Sequence, residues 1–331
     1  MNAPGPEPRY QGKPLSDWAL AILEHGVNAR PTDSALEAMA AVRAIGAAAI
    51  PHLLAWLQPP FQHPLLLAGA TRCFKALGPA AASAIPELAR MLHDSKPPRS
   101  SSVYGEWLNV LEALSYLGPE ALPILLGAAA NSAGPEFQTD VIHNLGNFGP
   151  DGAPAIPALI AWSRHENLWI RFWALHALGR IAKQPAAVIP VLLSALKDSE
   201  AIVRREAAQA LGRYGQDASH AVPELLRAAD DADWHAQPGA IAALVQIGGQ
   251  PDVVLPLLVR KLHDGNWILR RCAAVALGDF GGQKAFDALM EATDDPQGFV
   301  REIVFLSLKM IDPAALEKSG RTFKTSGPPR G

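Results

Sequence analysis

The chain has 331 residues, of which 49% are hydrophobic and 18% charged, and its formal net charge is −3. This balance provides no global positive field that would attract nucleic acid or an anionic membrane surface. The apolar fraction is sufficient for a folded core, and no uninterrupted apolar run of about 18 residues predicts a membrane span.

The N-terminal residues, MNAPGPEPRYQGKP, lack the basic start and the apolar run of a signal peptide. We expect residues 1–9 to be a flexible tail. Residues 10–30 are predicted to form a helical cap, in which Ser16 is the N-cap and Trp18 covers the open end of the first repeat.

The dominant feature of the sequence is a unit of 33 residues that occurs twice between residues 166 and 231. Arg171 aligns with Arg204, and Pro190 aligns with Pro223. In each copy, apolar residues follow a helical period, the pattern then breaks, and a second apolar helix begins near the proline. Each unit is therefore predicted to be a helical hairpin, with Gly179 small because two helices must pass closely there.

The same unit accounts for most of the chain. A small residue ends the first helix of each copy, at Gly46, Gly78, Gly118, Gly149, Ala182, Gly215, Gly248 and Gly281. The proline of the second helix recurs at Pro51, Pro86, Pro123, Pro157, Pro190, Pro223 and Pro256. A hairpin with one apolar side per helix must stack on a copy of itself. We therefore predict an all-α fold, a right-handed α-solenoid of about eight helical hairpins that forms one body over residues 10–312.

Three segments depart from the regular unit. Residues 95–105 insert a Pro/Ser-rich loop that is predicted to be solvated. In the seventh copy, Pro238 is predicted to shorten or kink the first helix. Residues 313–331 are predicted to form a short helix and then a flexible basic tail.

The repeat resembles the HEAT repeat, in the short bacterial form that bilin-lyase-like proteins also contain. The matching residues are Val203-Arg204, Ala207-Ala208, Ala210-Leu211-Gly212 and Val222-Pro223-x-Leu225-Leu226. The resemblance covers residues 33–312 and implies a HEAT/armadillo-like superhelix. It also implies a ladder that ties neighbouring repeats together, formed by acid and arginine positions six residues apart: Asp198 and Arg204, Asp264 and Arg270, Asp295 and Arg301. A carboxylate at the turn can also cap the next helix. The early copies lack these pairs, so we expect less regular stacking in the N-terminal half.

No arrangement of residues predicts catalysis. The sequence has no Gly-rich phosphate loop after a strand, no cysteine pair at zinc-ligand spacing and no GxSxG motif. His165-Glu166 is a single His-Glu pair at a turn, whereas HEAT-family metal hydroxylases repeat such pairs inside their first helices. We therefore predict no enzymatic activity, no metal and no cofactor.

The second helices offer a candidate binding surface, because in solenoids of this family they line the concave side. Positions one, four and five after the proline are predicted to face outward, and in copies one to five they are mostly small and apolar. The candidate partner-binding residues are Trp56, Met91, Ile124, Ala128, Ala158, Trp162, Val191 and Ala195. An exposed apolar strip with aromatic anchors would suit a peptide or a helix. The alternative is that tight curvature buries these small residues against the next helix.

Phe172 and Trp173, on the outer side of copy five, form a second candidate surface. They would either make a dimer contact or have one ring packed inward.

The sequence thus favours a non-catalytic interaction scaffold that binds a peptide or protein segment on its concave face. One alternative is a nucleic-acid-binding or DNA-glycosylase-like HEAT protein, which would use Arg227, Arg260 and Lys261. Another is a bilin-lyase-like accessory protein. Nucleic acid is the less favoured partner, since the earlier copies place few basic groups on this face. Cys73 and Cys272 fall six repeats apart, beyond disulfide reach, which favours the reducing cytoplasm. No membrane partner is expected.

Overall fold

Helical hairpins make up most of the described chain, as the repeat predicts. The computed structural model describes residues 5–23, 32–58, 64–94, 103–131 and 134–322. The chain divides into two units, Met1–Trp162 and Ser163–Gly331. Each unit is a stack of helical hairpins, and the all-α solenoid class is confirmed. The single body over residues 10–312 stays a prediction.

The first unit begins with a short β-hairpin that the sequence did not predict. Strand β1 (Arg9–Tyr10) pairs antiparallel with β2 (Lys13–Pro14), and helix α1 (Leu15–Ala21) follows directly. Trp18 is buried, as predicted, and its indole Nε1 donates to the Tyr10 carbonyl oxygen at 3.3 Å.

Two predictions about this segment are wrong. The N-cap of α1 is Pro14, and Ser16 lies inside the helix, where its hydroxyl donates to a carboxylate oxygen of Glu7 at 2.8 Å. The Leu15 amide also donates to the Pro8 carbonyl oxygen. These two hydrogen bonds tie residues 7–9 to α1, so these residues are not a free tail. Residues 1–4 and 24–31 lie outside the described residues.

The remaining helices of the first unit alternate between first and second members of hairpins. They are α2 (Asp33–Ile45), α3 (Ile50–Trp56), α4 (Pro64–Leu77), α5 (Ile85–Asp94), α6 (Val103–Leu114), α7 (Leu122–Ala130), α8 (Pro135–Leu145) and α9 (Ile156–Trp162). Short 3-10 segments join the two members of each hairpin. Side-chain hydrogen bonds also link successive hairpins: Arg43 donates to the Ala76 carbonyl at 3.0 Å, and Thr71 donates to the Asn109 side chain at 3.0 Å.

The second unit is built in the same way. Its helices are α10 (Leu168–Ile181), α11 (Pro185–Ala195), α12 (Ala201–Arg213), α13 (Val222–Ala228), α14 (Gln237–Ile247), α15 (Pro251–Leu262), α16 (Trp267–Phe280), α17 (Gln283–Glu291), α18 (Gly298–Ile311) and α19 (Pro313–Lys318). The first helices α10, α12, α14, α16 and α18 pack on one another in sequence. The short final helix is confirmed as α19, and residues 323–331 lie outside the described residues.

The small residue that ends each first helix is confirmed as a conformational requirement. All eight predicted positions have positive φ, from +46° at Ala182 to +102° at Gly118. Side chains other than glycine rarely adopt this region, so seven of the eight are glycine. Gly179 is small for a different reason: an added Cβ would lie 2.8 Å from Ala210 Cα and 2.8 Å from Ala210 Cβ on α12.

The prolines behave as predicted in most copies, and two depart from the prediction. Pro51, Pro123 and Pro223 occupy the first turn of α3, α7 and α13, where no intrahelical partner for the amide is lost. Pro190 and Pro256 instead lie inside α11 and α15, because these helices already begin at Pro185 and Pro251. In the seventh copy, α14 begins only at Gln237 and has 11 residues, against 13 in α12, so the predicted shortening is confirmed.

Among the residues that the structure describes, one segment, Asp33–Trp56, is long and apolar enough to cross a membrane when judged by length and composition alone. It is folded as the α2–α3 hairpin, with Gly46 at φ +61° between the two helices. The 13 residues of α2 extend about 20 Å, which is shorter than a bilayer core of ~30 Å. Of the insertion at residues 95–105, residues 95–102 lie outside the described residues.

Candidate functional site

An arginine–aspartate ladder orders the second unit, with a connectivity that differs from the predicted pairs. Arg204 does not bind the Asp198 carboxylate six residues earlier. Its guanidinium binds the carboxylate of Asp231 at 2.7 and 2.8 Å, one repeat further on. Its Nη1 donates instead to the main-chain carbonyls of Asp198 and Ser199, at 2.8 and 3.1 Å. One arginine therefore joins the turn before its own helix to the turn of the following repeat.

The same arrangement recurs along the unit. Arg171 binds Asp198 at 2.8 and 2.9 Å, and Arg270 binds Asp295 at 2.7 and 3.0 Å. Arg301 donates to the main-chain carbonyl of Asp295, six residues earlier. Arg171, Arg204 and Arg270 each hold an aspartate 25 or 27 residues ahead and a carbonyl six residues behind.

The aspartates also order the turn before the next helix, although none of them is the N-cap that the sequence suggested. The carboxylates of Asp198, Asp231, Asp264 and Asp295 accept the main-chain amide two residues ahead at 2.8–3.0 Å. The hydrogen bonds from Arg204 are the main cause of the lowered pKa of Asp231. At Asp198, burial acts to raise the pKa, but bonds from Arg171 and from the Glu200 amide lower it overall.

The ladder changes chemistry at α14, where the seventh copy has Gln237 in place of arginine. The Gln237 amide group donates to the Asp231 carbonyl at 2.7 Å, which replaces the backward bond of the arginine. Lys261 supplies the positive charge: its Nζ lies 2.7 Å from the Gln237 side-chain oxygen, 3.0 Å from Asp230 and 3.6 Å from Asp264. Lys261 is only 4% exposed, so it belongs to the interior of the unit.

The second-helix surface has a slightly different register from the predicted one. The repeat proline and the fourth residue after it are the most exposed positions, whereas the first and fifth positions vary from buried to partly exposed. Six of the candidate residues are partly exposed: Trp56, Ile124, Ala128, Ala158, Trp162 and Ala195. Met91 and Val191 are 5% and 9% exposed, so the prediction that they face outward is wrong.

In the first unit, α5 interrupts the apolar strip with charge. Arg90 is exposed and binds Glu87 through contacts of 2.6 and 3.0 Å, and Gln58 also donates to Glu87 at 3.3 Å. The bonds from Arg90 are the main cause of the lowered pKa of Glu87. The apolar surface of this unit is therefore most continuous on α7 and α9, where the exposed positions carry no charged residue.

The predicted basic strip of the second unit is neutralised by neighbouring carboxylates. Arg227 binds Glu224 at 2.7 Å, and Arg260 binds both oxygens of Asp230 at 2.7 and 3.0 Å. Lys261 is buried in the cluster described above. A phosphate backbone would have to compete with a carboxylate for each of these three cations.

A groove lies between α15 and the start of α17, with a volume of about 810 Å³. Partly exposed apolar side chains line its floor: Leu255, Val259 and Phe280. Exposed side chains surround them: Asp252, Pro256, Arg260, His263 and Lys284. The groove lies on the second-helix side of the unit, and it places an apolar floor inside a polar rim.

The sequence analysis did not identify this groove, although a signal was present. The α16–α17 connection consists of Gly281 and Gly282 alone, both with positive φ. The corresponding connection between α12 and α13 includes a 3-10 segment of seven residues, Gly215–Ala221. Both glycines line the groove.

The aromatic residues of α10 form a second cluster. Trp169, Phe172, Trp173 and His176 make successive edge-to-face contacts, with ring centroids 4.9–5.9 Å apart. Phe172 and Trp173 are partly exposed, and Trp169, which was not predicted, is 50% exposed. His176 anchors the cluster to α12 through a 2.9 Å contact with the buried carboxylate of Glu206.

Groups that would support metal or thiol chemistry do not assemble in the described ranges. No group of three or more His, Cys, Asp or Glu side chains there is placed to hold a metal ion. Cys73 and Cys272 are free thiols, and burial raises the pKa of Cys73 to about 12. A thiol with such a pKa is not a nucleophile at neutral pH.

The comparison with protein families identifies the repeats. Residues 189–254 and 249–309 match the family model of HEAT repeats. No curated protein matches the chain.

Solved structures of helical repeat proteins are similar to the chain. Kap121p bound to Pho4p has a TM-score of 0.57 and 13% identity, over 87% of this chain and 38% of Kap121p. Kap121p bound to the extreme C-terminus of the protein phosphatase Cdc14p has a TM-score of 0.56 and 14% identity, over 86% and 36%. The complex of CpcE and CpcF of phycocyanin lyase from Nostoc sp. PCC7120 has a TM-score of 0.44 and 24% identity, over 67% and 86%. The chain spans less than two fifths of the length of Kap121p, and at these identities the similarity shows the fold.

Proposed function

We propose that this HEAT-repeat chain is a non-catalytic scaffold that binds a peptide or protein segment on the surface formed by its second helices. The observation that carries the proposal is the apolar groove between α15 and α17. Its volume of about 810 Å³ falls within the range of roughly 300–1,000 Å³ that is usual for binding clefts.

The chemistry of the groove specifies the kind of segment. Leu255, Val259 and Phe280 offer an apolar floor for one or two large aliphatic or aromatic side chains. Lys284 and His263 on the rim are exposed. An acidic residue beside the apolar anchor would therefore be favoured electrostatically.

The second helices of the first unit support the same kind of partner. Ala128 and Ala158 are small and partly exposed, so a bound chain could approach the helix surface closely there. Trp56 and Trp162 are partly exposed and would supply aromatic contact area at low entropic cost. This surface remains the site proposed for the first unit, without Met91.

The fold is compatible with this function. The structures of Kap121p with Pho4p and with the Cdc14p C-terminus show that a related solenoid accommodates protein segments. Fold similarity indicates only the kind of partner, so the argument for this chain depends on its groove.

Nucleic-acid binding is not favoured by a specific observation, because Arg227, Arg260 and Lys261 are all bound to carboxylates. A gel-shift experiment at low salt tests it directly. A bilin-lyase-like accessory role predicts a visible absorbance band after mixing with a tetrapyrrole. For localisation, we propose the cytoplasm, where free thiols persist.

The decisive experiment selects peptides from a random phage-displayed library on the full chain and measures the affinity of the recovered peptides. Val259→Asp places a charge on the floor of the groove, and we expect it to weaken binding at least tenfold. Val253→Asp is the matched control, because Val253 is 45% exposed on the same helix and does not line the groove.

The outcomes separate the site from the function. Enriched peptides that bind the Val259→Asp variant as tightly as the wild type would remove the groove as the site. A selection that enriches no peptide would contradict the scaffold function. Far-UV circular dichroism of both variants verifies that the helices are intact.

A further inference from the structure

An exposed apolar stripe runs along α18, the last long helix of the second unit. Phe299, Leu306 and Met310 are 66%, 50% and 66% exposed, and Ile303 between them is partly exposed. The opposite side of the helix, which includes Val300 and other buried residues, packs into the unit. The outer face of a terminal repeat is normally polar, because no further repeat covers it.

The stripe is peculiar to the last hairpin. When the repeats are aligned on their ladder arginines, the same four positions of α12 are Ile202, Glu206, Gln209 and Arg213. In α16 they are Ile268, Cys272, Val275 and Asp279. Polar or charged residues therefore occupy three of these positions in α12 and one in α16, whereas all four are apolar in α18.

The first helix of the preceding hairpin extends the apolar patch. Trp267 on α16 is 38% exposed, and its ring lies 6.1 Å from that of Phe299, with an interplanar angle of 32°. Val275 on the same helix is 40% exposed. The patch is therefore wider than a single row of side chains.

The spacing of the stripe is symmetric. Its members are separated by four, three and four residues, so the pattern is the same from either end of the helix. A second copy of α18 laid antiparallel would place Phe299 against Met310 and Ile303 against Leu306. Every apolar group of the stripe would then meet an apolar group of the partner.

The charges beside the stripe favour this antiparallel arrangement. Glu302 and Lys309 are exposed and lie two helical turns apart, on the same flank of the stripe. In an antiparallel pair centred on the midpoint of the stripe, Glu302 of one copy and Lys309 of the other are two residues apart along the helix axis, or about 3 Å. Long side chains span this offset. In a parallel two-fold pair the same flanks lie on opposite sides of the seam, so Glu302 and Lys309 would not meet.

We propose that the α18 stripe is the interface of a two-fold symmetric homodimer, with the two α18 helices antiparallel. A two-fold interface uses the same patch on both subunits, which the symmetric spacing and the paired charges both satisfy. The interface is formed mainly by one helix of each subunit and buries a small area, so the dimer dissociates on dilution. It is separate from the α15–α17 groove and does not depend on the proposed peptide binding.

Sedimentation velocity of the full chain, between about 1 and 100 µM, tests the dimer, since interfaces of this size are reversible. We expect a concentration-dependent shift from monomer to dimer. Leu306→Glu, near the two-fold axis, should raise the dissociation constant at least tenfold. Val253→Glu is the control, because it adds the same charge at an exposed site on α15 and should leave the dimer unchanged.

A charge exchange tests the orientation. Glu302→Lys alone and Lys309→Glu alone should each weaken the dimer, and the double variant should restore it. A chain that stays monomeric throughout the concentration range, or a Leu306→Glu variant that dimerises normally, would overturn the interface. A double variant as weak as the single ones would overturn the antiparallel arrangement.

Discussion

Replacing Arg204 with alanine tests whether the ladder holds the second unit together. The change removes four hydrogen bonds, two to the Asp231 carboxylate and two to the carbonyls of the preceding turn. The side chains of Arg204 and Asp231 are only 17% and 14% exposed. Exposed ion pairs contribute up to ~1 kcal/mol, whereas breaking a buried pair costs ~3–5 kcal/mol. We therefore expect the free energy of unfolding to fall by about 2–3 kcal/mol.

The pH dependence of this loss follows from the lowered pKa of Asp231, which the bonds from Arg204 mainly cause. A carboxyl whose pKa is depressed in the folded state stabilises the protein above its unfolded pKa of about 3.9. That stabilisation is lost as the pH falls through the folded pKa. The difference in free energy of unfolding between the wild type and the Arg204→Ala variant should therefore be constant near pH 7 and become smaller below about pH 4.

Urea unfolding monitored by far-UV circular dichroism measures both effects, and hydrogen exchange in α12 localises them, because repeat arrays can unfold in parts. Arg227→Ala is the matched control. Arg227 is 73% exposed in its pair with Glu224, so its removal should cost less than about 0.5 kcal/mol. If Arg204→Ala costs no more than this control, or if its cost does not change with pH, the account of the ladder is refuted.

Three further predictions concern packing and burial. Gly179→Ala should destabilise the protein by ~1–3 kcal/mol in urea unfolding, because the new Cβ would lie 2.8 Å from α12. Gly127→Ala, whose Cβ meets nothing within 4 Å, should instead stabilise helix α7 by up to ~1 kcal/mol, and equal effects would contradict this packing. Tyr214→Phe should lower the free energy of unfolding, measured by thermal denaturation, by ~1–2 kcal/mol. The reason is that the buried hydroxyl donates to two carbonyl oxygens at 3.2 and 3.0 Å. A variant as stable as the wild type would show that these bonds are unimportant. Cys73 should resist alkylation at pH 8 in the native protein and react after denaturation, because burial raises its pKa to about 12. Mass spectrometry measures the labelling, and rapid labelling of the native protein would contradict the burial of Cys73.

The fold could be predicted from sequence because each repeat has the same local pattern of apolar, small and proline residues. The small residue after each first helix was predicted because the repeat shows it at eight positions, and its positive φ explains why seven of the eight are glycine. The close contact at Gly179 was predicted because the glycine recurs at Gly212 in the next copy. The N-terminal β-hairpin was missed, because two strands of two residues leave no periodic pattern to detect.

The candidate site was less predictable. Met91 and Val191 occupy outward positions in the idealised repeat, yet both are buried, since the exact rotation of each second helix depends on its neighbours. The groove beside Phe280 depends on how a two-residue connection places α17 against α15. The burial of Met91 and Val191 and the position of the groove both depend on contacts between helices, so the sequence pattern of a single helix does not predict them.

The sequence by itself determined the repeat, the helical hairpins and the residues that end them, because propensity and backbone sterics act over a few neighbouring positions. It also named Asp198, Arg204, Arg270 and Asp295 of the ladder, but not Arg171 or Asp231. Only the tertiary structure decided which arginine binds which aspartate, because the partners are 25 or 27 residues apart and meet across stacked repeats. Tertiary packing likewise decided that Lys261 is buried and that the α18 stripe is exposed, because burial depends on which neighbouring helix covers a side chain.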